Sequence, residues 1–389
     1  MITLGDFQST KAIEDSVIKV LRSGRLTYGP VQKEFEAKFA ALHGCSHAVI
    51  TNSGTSSLQI AIQAMKSLYG WKDGDEVIVP ALTFVATVNA VLHNNLKPVL
   101  VDVDPQYYFI NTIPRVGTSC VEEKITERTR LIIPVHPFGL PAEMEFIEGI
   151  AEEHKLMVLE DSCESMFVSR EGKSVGSWGD AAAFSMYAAH ILVSGVGGVT
   201  TVKNNYDLAE KCRSLANHGI ALSELPTGEE YDPSWMARNF LFDEVGHSFR
   251  LTEMEGAVAL EQLKSWDVIL NSRQNNAHKI TENLKDLEDA GHIQLPSTPY
   301  NSDHAWMVYP IVMLNETKHK IRHYLKKKEA AETRSLLPLI TQPCYDFINP
   351  EEYPTTLNIN RNGFYVGCHQ YVTDEQINHF SEVMHEFFK

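Results

Sequence analysis

The sequence predicts an α/β fold, with a mainly parallel sheet covered by helices on both faces and a smaller α/β domain at the C-terminal end. Short apolar runs at 76–80, 98–103, 131–135, 157–160 and 181–186 alternate with helix-length segments, the signature of repeated βαβ units. The run V-L-E-D closes on Asp161, and α/β sheets present ligand-binding groups at such strand ends. A glycine cluster, Gly195, Gly197 and Gly198, separates the run at 181–186 from a further strand at 199–202. Glycine there lets the backbone take positive φ or approach another group closely.

In chain order, residues 8–21 place Ile13, Val17, Val20 and Leu21 at helical spacing and stop before Ser23-Gly24. Pro30–Leu42 repeats the pattern with Val31, Phe35, Phe39 and Leu42 on one side, and stops at His43-Gly44. A strand at 47–51 leads into Asn52-Ser-Gly-Thr-Ser-Ser57, followed by a helix expected over 58–68. A helix at 83–93 joins the strands at 76–80 and 98–103. Residues 204–239 turn polar and loop-rich, and 225–233 reads as a mobile surface loop. One long helix is expected from 252 to about 279, then a strand (306–313), a helix (319–328), a Pro-rich connection and a terminal helix (373–388). This divides the chain into a large α/β domain with N-terminal helices, 1–260, and a small one, 261–389.

The 389 residues, 43% hydrophobic, suffice for a sizeable core. A net charge of -16 disfavours nucleic acid and anionic membranes as partners. No run reaches the roughly 20 apolar residues that span a bilayer, and the first residues lack a basic and an apolar signal region, so a cytoplasmic location is expected. The six cysteines are scattered with no C-x-x-C, which points to reduced thiols with no metal site and no iron–sulfur cluster. Two stretches carry chemistry of their own. Backbone amides and hydroxyls of 52–57, at a helix N-terminus, suit a phosphate dianion. His190 offers an imidazole that accepts and donates a proton near neutral pH.

Phe184-Ser-Met-Tyr-Ala-Ala-His190 and Gly195-Val-Gly-Gly198 resemble the F-S-F-x-x-x-K-x-x-x-x-G-E-G-G of the DegT/DnrJ/EryC1/StrS group, sugar-modifying enzymes of fold type I that use pyridoxal phosphate. The resemblance runs over nearly the whole chain. It implies a fold type I aminotransferase-like architecture with a seven-stranded-type sheet, and the coenzyme, pyridoxal or pyridoxamine phosphate, in the cleft between the domains. The family's lysine binds the coenzyme as an imine. Here that position is His190, which has no primary amine. The chain thereby resembles a minority branch, the 3-dehydratases of 4-keto-6-deoxy nucleotide sugars such as GDP-4-keto-6-deoxymannose 3-dehydratase. It departs from that branch in reading Ala188-Ala-His-Ile191 for P-A-H-H, and Val196 for the glutamate of G-E-G-G.

The same resemblance implies site roles. Gly54, Thr55 and Ser56 match the phosphate-binding S-G-T turn, and Ser185 adds a hydroxyl to that phosphate. Asp161 matches the carboxylate that keeps the pyridine nitrogen protonated, Glu164 stands near the ring oxygen, and Phe84 matches the aromatic stacked on the ring. Ser248 stands where a neighbouring subunit lends an Asn to the phosphate, which implies a homodimer with a shared active site. Asn217, His218, Arg250 and Arg334 are the expected contacts to the nucleotide sugar, Arg334 facing its diphosphate. The implied activity is C-3 deoxygenation in deoxysugar and O-antigen polysaccharide biosynthesis, with His190 as acid and base and glutamate restoring the amine form of the coenzyme. The alternatives are a nucleotide-sugar aminotransferase using glutamate, and a catalytically silent partner subunit.

Overall fold

The computed structural model describes residues 1–114, 117–221 and 241–389. Its larger sheet has seven strands in the order β1 (His47–Thr51), β9 (Gly198–Val202), β8 (Ala181–Ser185), β5 (Met157–Asp161), β4 (Thr129–Ile132), β2 (Glu76–Pro80) and β3 (Lys97–Val101). From β8 to β3 all neighbours are parallel, and β9 runs antiparallel between β8 and β1. The remaining short strands of this half, β6 (Ser169–Arg170) and β7 (Lys173–Ser174), form a separate hairpin. Strands β2, β8 and β9 are buried along their whole length, because strands in a sheet covered by helices on both faces show no polar face.

Helices α1 (Lys11–Ser23), α2 (Pro30–Leu42), α3 (Gly54–Tyr69), α4 (Val85–His93), α5 (Met144–His154) and α6 (Tyr206–Ala216) precede the second half. Leu58 and Met65 of α3, Val88 and Val91 of α4, and Leu208 and Leu215 of α6 share one core with the sheet. Phe35 and Phe39 of α2 join Phe184 in a second core, and Ile147 of α5 joins Ile78 and Ile132 in a third. A four-stranded antiparallel sheet, β10 (Ile293–Gln294), β11 (Tyr309–Met313), β13 (Gly363–Val366) and β12 (Arg334–Ser335), lies in the later half. It packs on Ala277, Ile280 and Leu284 of helix Trp266–Asp289 and on Ile377 and Phe380 of helix Asp374–Phe388.

Three expectations change. α3 begins at Gly54 rather than 58, because Ser53 Oγ accepts from Ser56 N and caps it. The S-G-T run is therefore the first helical turn. The long helix from 252 is two, Glu253–Leu263 and Trp266–Asp289, broken where Ser265 leaves helical geometry (φ -127, ψ 24). Residues 206–216, read as loop, form α6, capped by Asn205 and burying Leu208, Cys212 and Leu215. The stretch 225–233 lies outside the described residues.

The chain after residue 261 does not stay with the smaller sheet. Leu339, Ile340, Tyr345, Ile348 and Leu357 pack into the core of the larger one. Asp102, fully buried beyond β3, accepts from the amides of Thr355 and Thr356, both at 2.9 Å, capping helix Pro354–Asn362 from across the fold. Among the described residues no helix is long and apolar enough to cross a membrane.

Candidate active site

The C-terminal ends of β1, β5 and β8 open on one edge of the sheet, and most of the expected residues gather there. Gly54 is pressed against the end of β8: a Cβ on it would stand 2.7 Å from Cys163 Sγ and 2.8 Å from Ser185 Cβ. A side chain at 54 would push these elements apart. Thr55 follows, half-buried at the start of α3. Ser56 Oγ donates to Asn52 Oδ1 at 2.6 Å, so its proton is used inside the turn, and the amides at the positive end of α3 are the donors left for an anion. Ser185 is nearly buried, and its Oγ accepts from Tyr187 N at 3.4 Å.

Asp161 is 5% exposed. Its Oδ2 accepts from Thr87 Oγ1 at 2.7 Å and its Oδ1 from Cys163 N at 3.2 Å, which leaves each oxygen a further lone pair. Thr87 is itself paired with Thr83 Oγ1 at 2.7 Å. This threonine pair was not singled out from the sequence; the T-x-x-x-T across the turn into α4 was its signal. Phe84 lies between them as the residue before α4, not inside that helix as expected, and its ring is 59% exposed.

Glu164 is half-buried and its Oε2 accepts from Phe138 N at 2.7 Å, where Phe138 takes a left-handed φ of 59°. Burial, aided by the charge of Asp161, outweighs that amide and raises its pKa from 4.5 to about 7. Between those two values the folded chain holds a proton that the unfolded chain has released, so stability falls as pH climbs through this window. Glu164→Gln stays neutral and can still accept from Phe138 N. In ligand-free protein its stability relative to the parent should rise by about 2 kcal/mol between pH 5 and pH 8 in denaturant unfolding. The same difference at both pH values would show that burial does not displace this carboxyl.

His190 follows β8. Its Nδ1 lies 3.3 Å from Ser185 O. A carbonyl only accepts, so Nδ1 carries the hydrogen and Nε2 keeps the lone pair. Burial lowers its pKa to about 4, against the opposing pull of the Ser185 and Cys163 carbonyls, so the ring is neutral at pH 7. Tyr187, largely exposed, meets it edge-on at 6.0 Å.

Four more expected residues meet at the rim. Arg250 Nη1 donates to Asn217 Oδ1 at 2.9 Å, and its Nη2 reaches Ser248 Oγ at 3.0 Å and His218 Nε2 at 3.1 Å. His247 and Phe249 alternate with them and stack at 4.4 Å, while Ser248 and Arg250 are exposed. Phe249 O accepts from Asn52 N at 2.7 Å, which ties this rim to the turn before α3. No described hydrogen bond connects it directly to Asp161 or His190. Arg334, exposed on β12, is the register partner of Tyr365. The half-buried Tyr365, which the sequence did not mark, is pushed up to about 12 by burial and by Glu164, with Arg334 opposing. One phenol thus feels both charges.

Together these groups offer amides for a dianion, a buried carboxylate for a cationic heterocycle with an exposed aromatic ring nearby, and a neutral imidazole with a free lone pair able to accept a proton. A family model described as the DegT/DnrJ/EryC1/StrS aminotransferase family matches residues 8–385. The chain is 34% identical over 278 residues to GDP-perosamine synthase of Caulobacter vibrioides, covering 72% of this chain and 68% of that one. It is 33% identical over 293 residues to UDP-N-acetyl-3-dehydro-alpha-D-glucosamine 3-aminotransferase of Acidithiobacillus ferrooxidans, covering 75% and 71%. Among solved structures, E. coli GDP-4-keto-6-deoxy-D-mannose-3-dehydratase with bound hydrated PLP shares the fold, with a TM-score of 0.87 at 23% identity over 98% of this chain and 99% of that one.

Proposed function

Because the chain belongs to the DegT/DnrJ/EryC1/StrS aminotransferase family, whose coenzyme is pyridoxal or pyridoxamine phosphate, we propose that it is a 3-dehydratase of a nucleotide-linked 4-keto-6-deoxy sugar, with glutamate as amino donor. The observation that carries this reading is His190 at the end of β8, where the family motif has its lysine. Among the described residues, no hydrogen-bond partner of Asp161, Glu164, Ser185 or His190 is a lysine. Without that amine the coenzyme is held by non-covalent contacts alone.

The residues present fit such a group. Gly54 keeps the first turn of α3 tight against Ser185, so the Gly54 and Thr55 amides and the Ser185 hydroxyl would take the phosphate, joined by the Ser56 hydroxyl if it turns from Asn52. The exposed ring of Phe84 would cover the pyridine face, and Glu164 would stand beside its ring oxygen. Asp161 would hold the ring nitrogen protonated: at about 4 Å and an effective dielectric near 20, such a pair is worth roughly 4 kcal/mol, or about three pKa units before desolvation. When bound, the coenzyme supplies an amine for a sugar ketone and a cationic ring that accepts an electron pair. His190 Nε2, unprotonated at pH 7, is the atom that takes a proton; once charged, it is the acid that gives the proton to a departing hydroxyl. The same nitrogen carries the proton when glutamate restores the amine form.

Asn217, His218, Arg250 and Arg334 would bind the nucleotide sugar, with the two guanidinium groups toward its diphosphate. The exposed Ser248 suits a site completed by a second copy of the chain, so we read the protein as a homodimer. Six cysteines without a disulfide fit a reducing, cytoplasmic setting.

The names of the two curated relatives favour a second reading, a sugar aminotransferase that uses His190 as its proton carrier. Mass spectrometry of products from a panel of nucleotide-linked 4-keto-6-deoxy sugars, with pyridoxamine phosphate and glutamate, separates the two. The dehydratase yields a ketone lighter by one oxygen atom. An amino sugar that keeps its C3 hydroxyl would sink the dehydratase reading, and failure to bind pyridoxamine phosphate would point to a silent partner subunit.

A further inference from the structure

Arg273, on helix Trp266–Asp289, is 1% exposed, and among the described residues no carboxylate pairs with it. Instead it spans three backbone carbonyls. Nη2 donates to His190 O at 2.8 Å, and Nη1 donates to Met307 O at 3.0 Å and Trp306 O at 3.2 Å. A cation is costly to bury without a counter-ion, so this position holds something that a neutral side chain would not. The far anchor is rigid: Trp306 stacks on the His304 ring at 3.7 Å, and Cys368 Sγ lies 3.1 Å from Trp306 O.

Residues 186–198, the loop it grips, contain Gly195 and Gly197, both at positive φ. Ile191 and Leu192 anchor it in the core around Phe184. Two further contacts hold the same loop. Gly5 lies so close to it that a Cβ there would stand 2.7 Å from Ala189 Cα, and Gln262 bonds both the amide and the carbonyl of Val193. Neither of these reaches residue 190 itself.

We propose that Arg273 is a positioning residue for His190: by fixing the His190 carbonyl to the Trp306-Met307 backbone, it sets the direction of the imidazole. The proposal rests on reading His190 as the proton carrier. Arg273 also acts through its charge, which disfavours a second proton on the ring. The other polar groups acting on or touching His190 are the Ser185 and Cys163 carbonyls and Tyr187 of its own loop; Cys368 and Tyr371 act on Arg273.

Two variants in the full chain test this, with two readouts. The first is the NMR titration midpoint of the His190 imidazole in coenzyme-free protein, its signal identified by its loss in His190→Ala; the second is steady-state kcat and KM. Arg273→Lys keeps the charge but cannot span three carbonyls. It should leave the midpoint within about 0.3 units and lower kcat about tenfold at unchanged KM. Arg273→Met removes both, and should raise the midpoint by about one unit and lower kcat about a hundredfold. A fall in melting temperature alone, with midpoint and kcat as in the parent, would overturn the proposal. If Arg273→Met does not fold, Arg273→Lys decides: parental kcat overturns the proposal, and loss at constant KM supports it. Failure of the dehydratase reading is seen separately, in the products, because the NMR arm does not depend on turnover.

Discussion

Replacing His190 with alanine lowers kcat by about 10³- to 10⁴-fold while affinity for pyridoxamine phosphate changes by no more than about threefold. General acid–base catalysis supplies most of that range for one proton transfer, and in the proposed reaction Nε2 would serve both the dehydration and the return reaction with glutamate. The proposed binding contacts lie elsewhere, on the first turn of α3, Ser185 and Asp161, so coenzyme uptake, followed by absorbance, is the control. The imidazole is neutral from about pH 4 upward, so the acidic limb that it contributes to kcat/KM lies near that value rather than near 6.5, and is absent in the variant. A residual rate within tenfold of the parent would remove His190 from the chemistry.

Asp161→Asn lowers kcat by about 10³-fold, the size expected when a charge pair worth roughly 4 kcal/mol is lost. The substitution is close to isosteric, and the Thr83–Thr87 pair can turn its hydroxyl to donate in the other direction, since either oxygen there can be the donor. The fold therefore survives, with a change of about 1 kcal/mol in stability. The absorbance of bound coenzyme reports the cause: in the parent the ring stays protonated through neutral pH, and in the variant it loses that proton up to about three units lower. Activity within threefold of the parent, with unaltered spectra, would show that the buried carboxylate serves packing alone.

Asp161 stood out in the sequence because it ends a buried strand that appears as a short hydrophobic run. Gly54 and Ser185 were marked by the family resemblance, on an S-G-T turn and an F-S motif. What escaped was set by partners remote along the chain. Thr87 lies 74 positions from Asp161, and Arg273 lies 83 from His190. On its helix Arg273 reads as one more surface charge, because spacing reports only which face a residue occupies, not what another element brings to that face. The break before Trp266 was hidden for the same reason. Both helices keep their periodicity, and Leu260 and Leu263 before the break share one core with Ile269 and Leu270 after it, so the apolar pattern runs through the interruption. Tyr365 likewise passed for a strand residue until Glu164 and Arg334 were found on either hand.

Residues 339–357 leave the second sheet to lie against β3 and α4, where Tyr345 Oη donates to Asn89 Oδ1 at 2.7 Å. The two halves are therefore interleaved rather than strung in series. A cut after residue 260 would not free two self-sufficient fragments: the first would expose the apolar flank that this returning stretch covers, and Asp102 would lose the helix that it caps.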